Sequence, residues 1–205
     1  MNKAYLLNSS SNLIEFISQL ILNEDLDHTT IIFPNRRPAI YLSKAIASKK
    51  NKSVGFIELF SIDDFVNTIY EKFSSVVYPQ ISTLEAVFLL FEINQEVSFV
   101  NINNIDYFWP WGYKIYSDFE ELYLEHVNVA SIDYLIQNNL PNGLEGFSNR
   151  ISRFSTIYSA FYETLEANSF CTRSVKYKKA SLYAENFVEE SAKNIIFAGF
   201  YDLTK

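Results

Sequence analysis

The chain has 205 residues, 48% of them apolar and 17% aromatic, which excludes a disordered tail and allows one sizeable domain or two small ones. Its net charge of −7 has the wrong sign for a free-standing nucleic-acid binder, so any DNA contact must come from a local basic patch. The one cysteine, Cys171, leaves no internal disulfide, and no run approaches the roughly 20 apolar residues of a membrane span.

The apolar core of the N-terminus is only Ala4–Leu7, too short for a signal peptide, so a cytoplasmic protein without membrane contact is expected. Ala4–Leu7 reads instead as a first strand. A turn follows, and Asn12 with Glu15 three positions on makes a capping-box arrangement at the start of a helix. Leu13, Phe16, Ile17, Leu20 and Ile21 form its apolar stripe. A nucleotide-binding α/β protein carries its phosphate loop at this point. Such a loop needs glycines, so that backbone N–H groups can wrap the phosphates, and a lysine and a hydroxyl besides. The loop here, Asn8, Ser9, Ser10, Ser11 and Asn12, has neither glycine nor lysine, and the first glycine of the chain is Gly55. ATP hydrolysis of the P-loop kind is not expected.

Thr29–Phe33 reads as a buried strand, Pro34-Asn35-Arg36-Arg37 as a tight polar turn, and Pro38 as the first helical residue. Proline suits that position because its missing N–H has no partner there anyway. Ile40 and Tyr41 alternate with Leu42 and Ile46, so one helix face can pack back on the strand. Arg36 and Arg37 then stand at the carboxyl end of a strand, the edge where open α/β sheets bind ligands. On charge alone, solvation of a loop is the plainer role for them. After the basic turn Ser48–Ser53, Val54–Leu59 reads as a third strand. Ser61 caps the next helix, with Asp63 and Asp64 complementing its dipole. Strands and helices thus alternate through the first 75 or so residues, the pattern of a parallel sheet with crossover helices.

Beyond Tyr78-Pro79 the pattern turns helical. Ser82-Thr83-Leu84-Glu85 is a capping box. Asn101–Trp111 reads as irregular, with Pro110 breaking any helix there. Gly112–His126 and Ser131–Gln137 read as helices and Asn138–Gly146 as a loop. Phe147, Ile151, Phe154, Tyr158, Phe161 and Leu165 step along one face of a long helix. Arg173–Glu190 reads as one further helix, and Asn194–Phe200 returns to strand character. An uncovered strand so near the end reads as a fragment of a longer protein, since a buried strand is normally flanked on both faces.

No catalytic constellation emerges. A restriction-enzyme-like nuclease needs an acidic residue two positions before a lysine to help hold Mg²⁺, and no lysine of the chain has one. The Gly-x-Ser-x-Gly elbow of serine hydrolases is absent. His28, His126 and Cys171 lack the spacing of a zinc site, so no metal is expected. Glu120-Glu121 and Glu189-Glu190 read as solvated helix faces. Two features keep a binding role open. The cluster Tyr107–Tyr113, with Trp109 and Trp111, could stack bases or form a hydrophobic corner. The basic run Arg173, Lys176, Lys178 and Lys179 could touch phosphates or solvate a helix start.

Taken in order, IIFPNRRPAIYLSKAIA, IELFSIDDFV, WGYKIYSDFEELY and NIIFAGFYDLT resemble the N-terminal part of AddB-type proteins. These are the helicase-like, nuclease-bearing subunits of bacterial recombination-repair complexes, in the PD-(D/E)XK nuclease family. Each motif alone is loose; the ordered set, running through nearly all of the chain, carries the resemblance. It implies a P-loop-NTPase-like α/β fold: the RecA-like domain 1A of a superfamily 1 helicase, interrupted by a helical domain 1B. Residues 1–77 would form the α/β half-domain, 78–192 the helical insertion, and 193–205 the return strand. Asn8–Asn12 would be a degenerate Walker A loop, and Asn35, Arg36 and Arg37 would run beside single-stranded DNA. Gly199-Phe200-Tyr201-Asp202 would replace the acidic pair of Walker B. The resemblance therefore implies a non-catalytic, inactivated helicase-like module without a cofactor, which guides single-stranded DNA or scaffolds a helicase/nuclease partner subunit. The nuclease domain would lie beyond this chain. A protein–protein interaction domain without DNA contact is the alternative.

Overall fold

A computed structural model describes residues 4–8, 10–24, 28–48, 56–129, 131, 145–191 and 194–200. The chain divides into two compact units, Met1–Ser75 with Lys179–Leu203, and Val76–Lys178 with the last two residues. The first boundary falls near the expected residue 77. The second falls at 178/179 rather than 192/193, because the last helix belongs with the sheet.

The first unit is α/β, compatible with a Rossmann- or P-loop-like architecture. Its helices are α1 (Leu13–Glu24), α2 (Arg36–Ser48) and α3 (Ile62–Phe73), and its strands β1 (Thr29–Phe33) and β2 (Ile57–Ser61). β1 is the middle strand of a parallel sheet of order β2-β1-β3, where β3 is Asn194–Phe197. Thr29 lies opposite Ile57 on one side and Asn194 on the other. All five β1 residues are buried, as a parallel strand covered on both faces requires. Ile31 and Phe33 point into a cluster with Ile17 and Ile21 of α1 and Leu42 of α2. On the other face, Phe65 of α3 meets Phe60 at 6.1 Å, Phe197 at 6.2 Å and Phe187 at 5.0 Å. Phe187 lies on a helix after residue 179, and its burial draws that helix into this unit.

Several expectations are corrected here. Ala4–Leu7 is not a strand; Leu6 is fully exposed, and no described strand pairs with the segment. β2 runs Ile57–Ser61 rather than Val54–Leu59, and residues 49–55 lie outside the described set. α2 begins at Arg36, two residues before Pro38. Proline remains tolerated there, because the first four N–H groups of a helix have no partner within it. The inward stripe of α2 is Ala39, Leu42 and Ile46, while Ile40 and Tyr41 are exposed.

The second unit packs α4 (Thr83–Val97), α5 (Ile105–Leu124) and α6 (Glu145–Ala167) around one core. Ser82 and Glu85 cap α4 reciprocally, as the sequence predicts. Phe119 is fully buried, with Phe154 at 5.2 Å and Tyr158 at 5.0 Å, both edge to face. Pro110 does not break α5. It removes the bond to the Asp106 carbonyl, but both residues are exposed, so water can satisfy that carbonyl. Burial of Phe108, Ile115 and Phe119 on the opposite side holds the helix continuous.

The expected helix Arg173–Glu190 is two helices, α7 (Arg173–Ser181) and α8 (Ala184–Ser191), separated at Leu182-Tyr183. Tyr183 there stacks on Phe73 of α3, its ring centroid 6.4 Å away. The expected helix Ser131–Gln137, apart from Ser131, lies outside the described residues, as does the expected loop up to residue 144.

At Gly112, α5 leaves no room for a side chain against α4. A Cβ there would stand 2.7 Å from both Phe108 Cε1 and Val87 Cγ1, and both of those residues are fully buried. Gly112→Ala would ordinarily favour a helix by up to about 1 kcal/mol. Here we predict destabilisation by about 1–3 kcal/mol from overpacking, read as a lower denaturation midpoint of the full chain in urea. A midpoint equal to or above wild type would contradict this packing.

Candidate functional site

The carboxyl edge of the sheet collects the starts of α1, α2 and α3. Asn12 caps α1, its Oδ1 accepting from the N–H groups of Ile14 at 3.1 Å and Glu15 at 3.2 Å. In the turn before it, the Asn8 carbonyl accepts from Ser11 N at 2.9 Å and Asn8 Oδ1 from Ser10 N at 3.3 Å. A phosphate loop needs backbone N–H groups turned toward the ligand. Here side-chain and carbonyl oxygens of the chain itself take four of them. Ser9 lies outside the described residues.

Gly199, at φ +78°, follows β3 at the same edge. A Cβ on it would lie 3.0 Å from Leu13 Cδ2 and 3.8 Å from Pro34 Cδ, so the three segments meet there. Tyr201 and Asp202, expected in the Walker B position, lie outside the described residues.

Asn35 is the cap of α2, accepting from Arg37 N at 3.1 Å. Arg36 and Arg37 therefore sit in the first helical turn, not in a loop, and the two diverge in role. Arg36 grips Asp64 of α3 through both carboxylate oxygens, with Nε at 2.8 Å from Oδ2. Ser61 Oγ donates to Asp64 Oδ2 at 2.6 Å and accepts from Asp64 N at 3.2 Å. The Arg36 hydrogen bonds, followed by the Ser61 hydroxyl, hold the Asp64 carboxyl at about 2. The same bonds raise the Arg36 guanidinium above its ordinary value. This bridge ties the starts of α2 and α3 together across neighbouring strands. Arg37 is exposed, with no ion pair among the described residues.

The remaining candidates lie elsewhere. Lys179 falls in the α/β unit; Arg173, Lys176, Lys178, Trp109 and Trp111 fall in the helical one. Arg173 donates to the Tyr177 hydroxyl at 2.9 Å and lies over that ring, while Lys178 lies over the Tyr123 ring at 4.8 Å. Trp109 is half-buried against Phe88 at 5.9 Å, whereas Trp111 is 54% exposed. From Trp109 to Tyr123 is about 20 Å along α5 at 1.5 Å per residue. The tryptophans and the basic helix therefore form no single patch.

Glu120 was hidden in the sequence as half of an acidic pair. It is half-buried, accepts from Ser174 N at 3.0 Å and Ser174 Oγ at 2.6 Å, and takes a 3.3 Å bond from the Tyr162 hydroxyl. It is thus a cap supplied by α5 to the start of α7, where a negative charge is favoured, and not a solvated face. Burial, then the Glu120 charge, push the Tyr162 hydroxyl well above the usual phenol range; Tyr158 is pushed to about 12, chiefly by burial. Spacing alone could not reveal this role, because the partner lies 54 positions away.

Among the described residues no group of three or more His, Cys, Asp or Glu is placed to hold a metal. No described helix is long and apolar enough to cross a membrane. Compared with known proteins, the sequence matches no family model and no curated protein.

The Asp64 bridge has a pH signature. Its folded pKa of about 2 lies below the unfolded value of about 3.9. The unfolded state therefore binds more protons between those values, and the bridge's stabilisation is lost as pH falls from about 4 toward 2. Asp64→Asn should lower the melting temperature near neutral pH, and the gap to wild type should close across that interval. A gap unchanged down to pH 2 would remove Asp64 as its source.

Proposed function

We propose that this chain is a non-catalytic, helicase-like module of an AddB-like DNA-repair helicase/nuclease, guiding single-stranded DNA or scaffolding the complex. The observation that carries the reading is chain order. A parallel sheet is left after α3, the helical unit Val76–Lys178 intervenes, and β3 then returns beside β1. That is the order expected of a RecA-like domain interrupted by a helical one, and it accompanies the four ordered motifs of the sequence. The turn before α1 and the helix start support the non-catalytic part, since four of their N–H groups, those of Ser10, Ser11, Ile14 and Glu15, are already occupied. Arg37 is the phosphate contact in this reading, with Asn35 and the Arg36–Asp64 bridge fixing the turn that presents it.

The alternative is a protein–protein interaction domain without DNA contact. Charge favours it: residues 76–178 carry twelve Asp and Glu against six Lys and Arg, a net of −6 out of the chain's −7.

Salt dependence separates the two. Binding of a labelled single-stranded oligonucleotide to the full chain, followed by fluorescence anisotropy without ATP, should weaken steeply between about 50 and 200 mM salt. Arg37→Ala should weaken it further and lower the salt slope by about one phosphate contact. Binding that is unchanged in that variant would remove the site, and no binding at the lower salt would favour the protein-interaction reading.

A further inference from the structure

Helix α4 contains no lysine or arginine and turns three carboxylates outward, Glu85, Glu92 and Glu96, of which Glu85 and Glu92 border one groove. Seven positions apart, they share a face and stand about 10 Å from each other along the axis. Between them opens an apolar groove of about 240 Å³, floored by Ile81 and walled by Phe88, Leu89 and Phe170. Ile81 is only 5% exposed, whereas Phe88 and Phe170 remain 47% and 37% exposed.

The walls are held before anything binds. The Phe88 ring packs edge-on against Trp109. The strand-like segment after α6 is tied to the one before α4 by Ile81 N to Cys171 O at 2.9 Å and Cys171 N to Pro79 O at 3.0 Å. A preformed groove spares a partner most of the ordering cost of binding. Glu85 is fixed by its cap to Ser82, with the hydroxyl at 2.6 Å and the backbone N–H at 2.9 Å. Glu92 has no hydrogen bond or ion pair among the described residues.

We propose that this groove docks an amphipathic segment of a partner protein, in which an aromatic or long aliphatic anchor is flanked on both sides by lysine or arginine. Apolar walls select the anchor, and the two carboxylates select the flanking cations; as a helix the segment would carry them at i and i+7. The surrounding field agrees, since residues 76–178 hold a net −6 and steer cationic partners toward the groove. The same field repels nucleic acid and a second copy of this acidic chain. The inference rests on the helical unit alone and stands apart from the DNA reading of Arg37.

The test uses the full chain and two fluorescein-labelled peptides of about 15 residues, long enough for a marginal helix. Both carry one Trp-Leu apolar face, with Lys at i and i+7 in the first and Glu in the second. The Lys peptide should bind, and the Glu peptide should bind about tenfold more weakly. Phe88→Ala should weaken the Lys peptide about tenfold through loss of the apolar wall. Glu92→Lys, at an exposed position that leaves the fold intact by circular dichroism, should weaken the Lys peptide and strengthen the Glu peptide. Absent binding, equal binding of both peptides, or indifference to Glu92→Lys would overturn the proposal. So would a dimer in sedimentation that Phe88→Ala dissolves, since a second copy would then fill the groove.

Discussion

The middle strand of a parallel sheet needs cover on both faces and a partner strand along each edge. β1 meets that condition completely, with all five residues buried and a partner strand on each side. Much of the α/β unit follows from it. β2 must come back parallel through α2, and α1 and α2 must close one face around Ile31 and Phe33. The other face and edge are completed by Phe187 and β3, which the chain supplies only after the whole helical unit. Closure of this small sheet therefore depends on contacts between residues far apart in sequence, and such contacts are slow to form.

The helical unit solves a different problem with the same logic. Its aromatic residues would be costly to expose, and they gather around Phe119, where edge-to-face pairs order them beyond simple burial. Polar groups follow the core and find their partners within the unit. Asn94 closes the Ser98–Val100 turn through two bonds to Val100, and Glu120 caps a helix whose sequence has no acidic first-turn residue of its own. The charge left over faces outward, which gives this unit an acidic surface while the α/β unit stays near neutrality.

At the sheet's carboxyl edge, the same turns that would serve a nucleotide are turned to self-capping. Asn8 takes N–H groups of the turn before α1, Asn12 takes those of the first turn, and Arg36 is held by Asp64. An edge so internally satisfied holds its three helix starts in place, and it leaves Arg37 as the arginine of its turn that can reach outward.

Local chemistry was legible in the sequence. Strand β1, the Ser61 and Ser82 caps, the Asn12 cap and the stripe of α6 from Phe154 to Leu165 follow from neighbours within four positions, and backbone geometry leaves little freedom at that range. What only the tertiary structure decided lay beyond that range. Ala4–Leu7 has strand composition but no paired edge. Pro110 sits inside α5 because burial of Phe108 and Ile115 outweighs one lost hydrogen bond. The helix after Arg173 divides where Tyr183 stacks on Phe73. Arg36 and Arg37, alike in sequence, separated because Asp64 stands within reach of only one of them. Glu120 looked solvated until α7 was brought against it. Propensity and capping act through adjacent residues, whereas pairing, burial and ion-pair geometry depend on which distant segments meet, and a linear pattern carries no record of that.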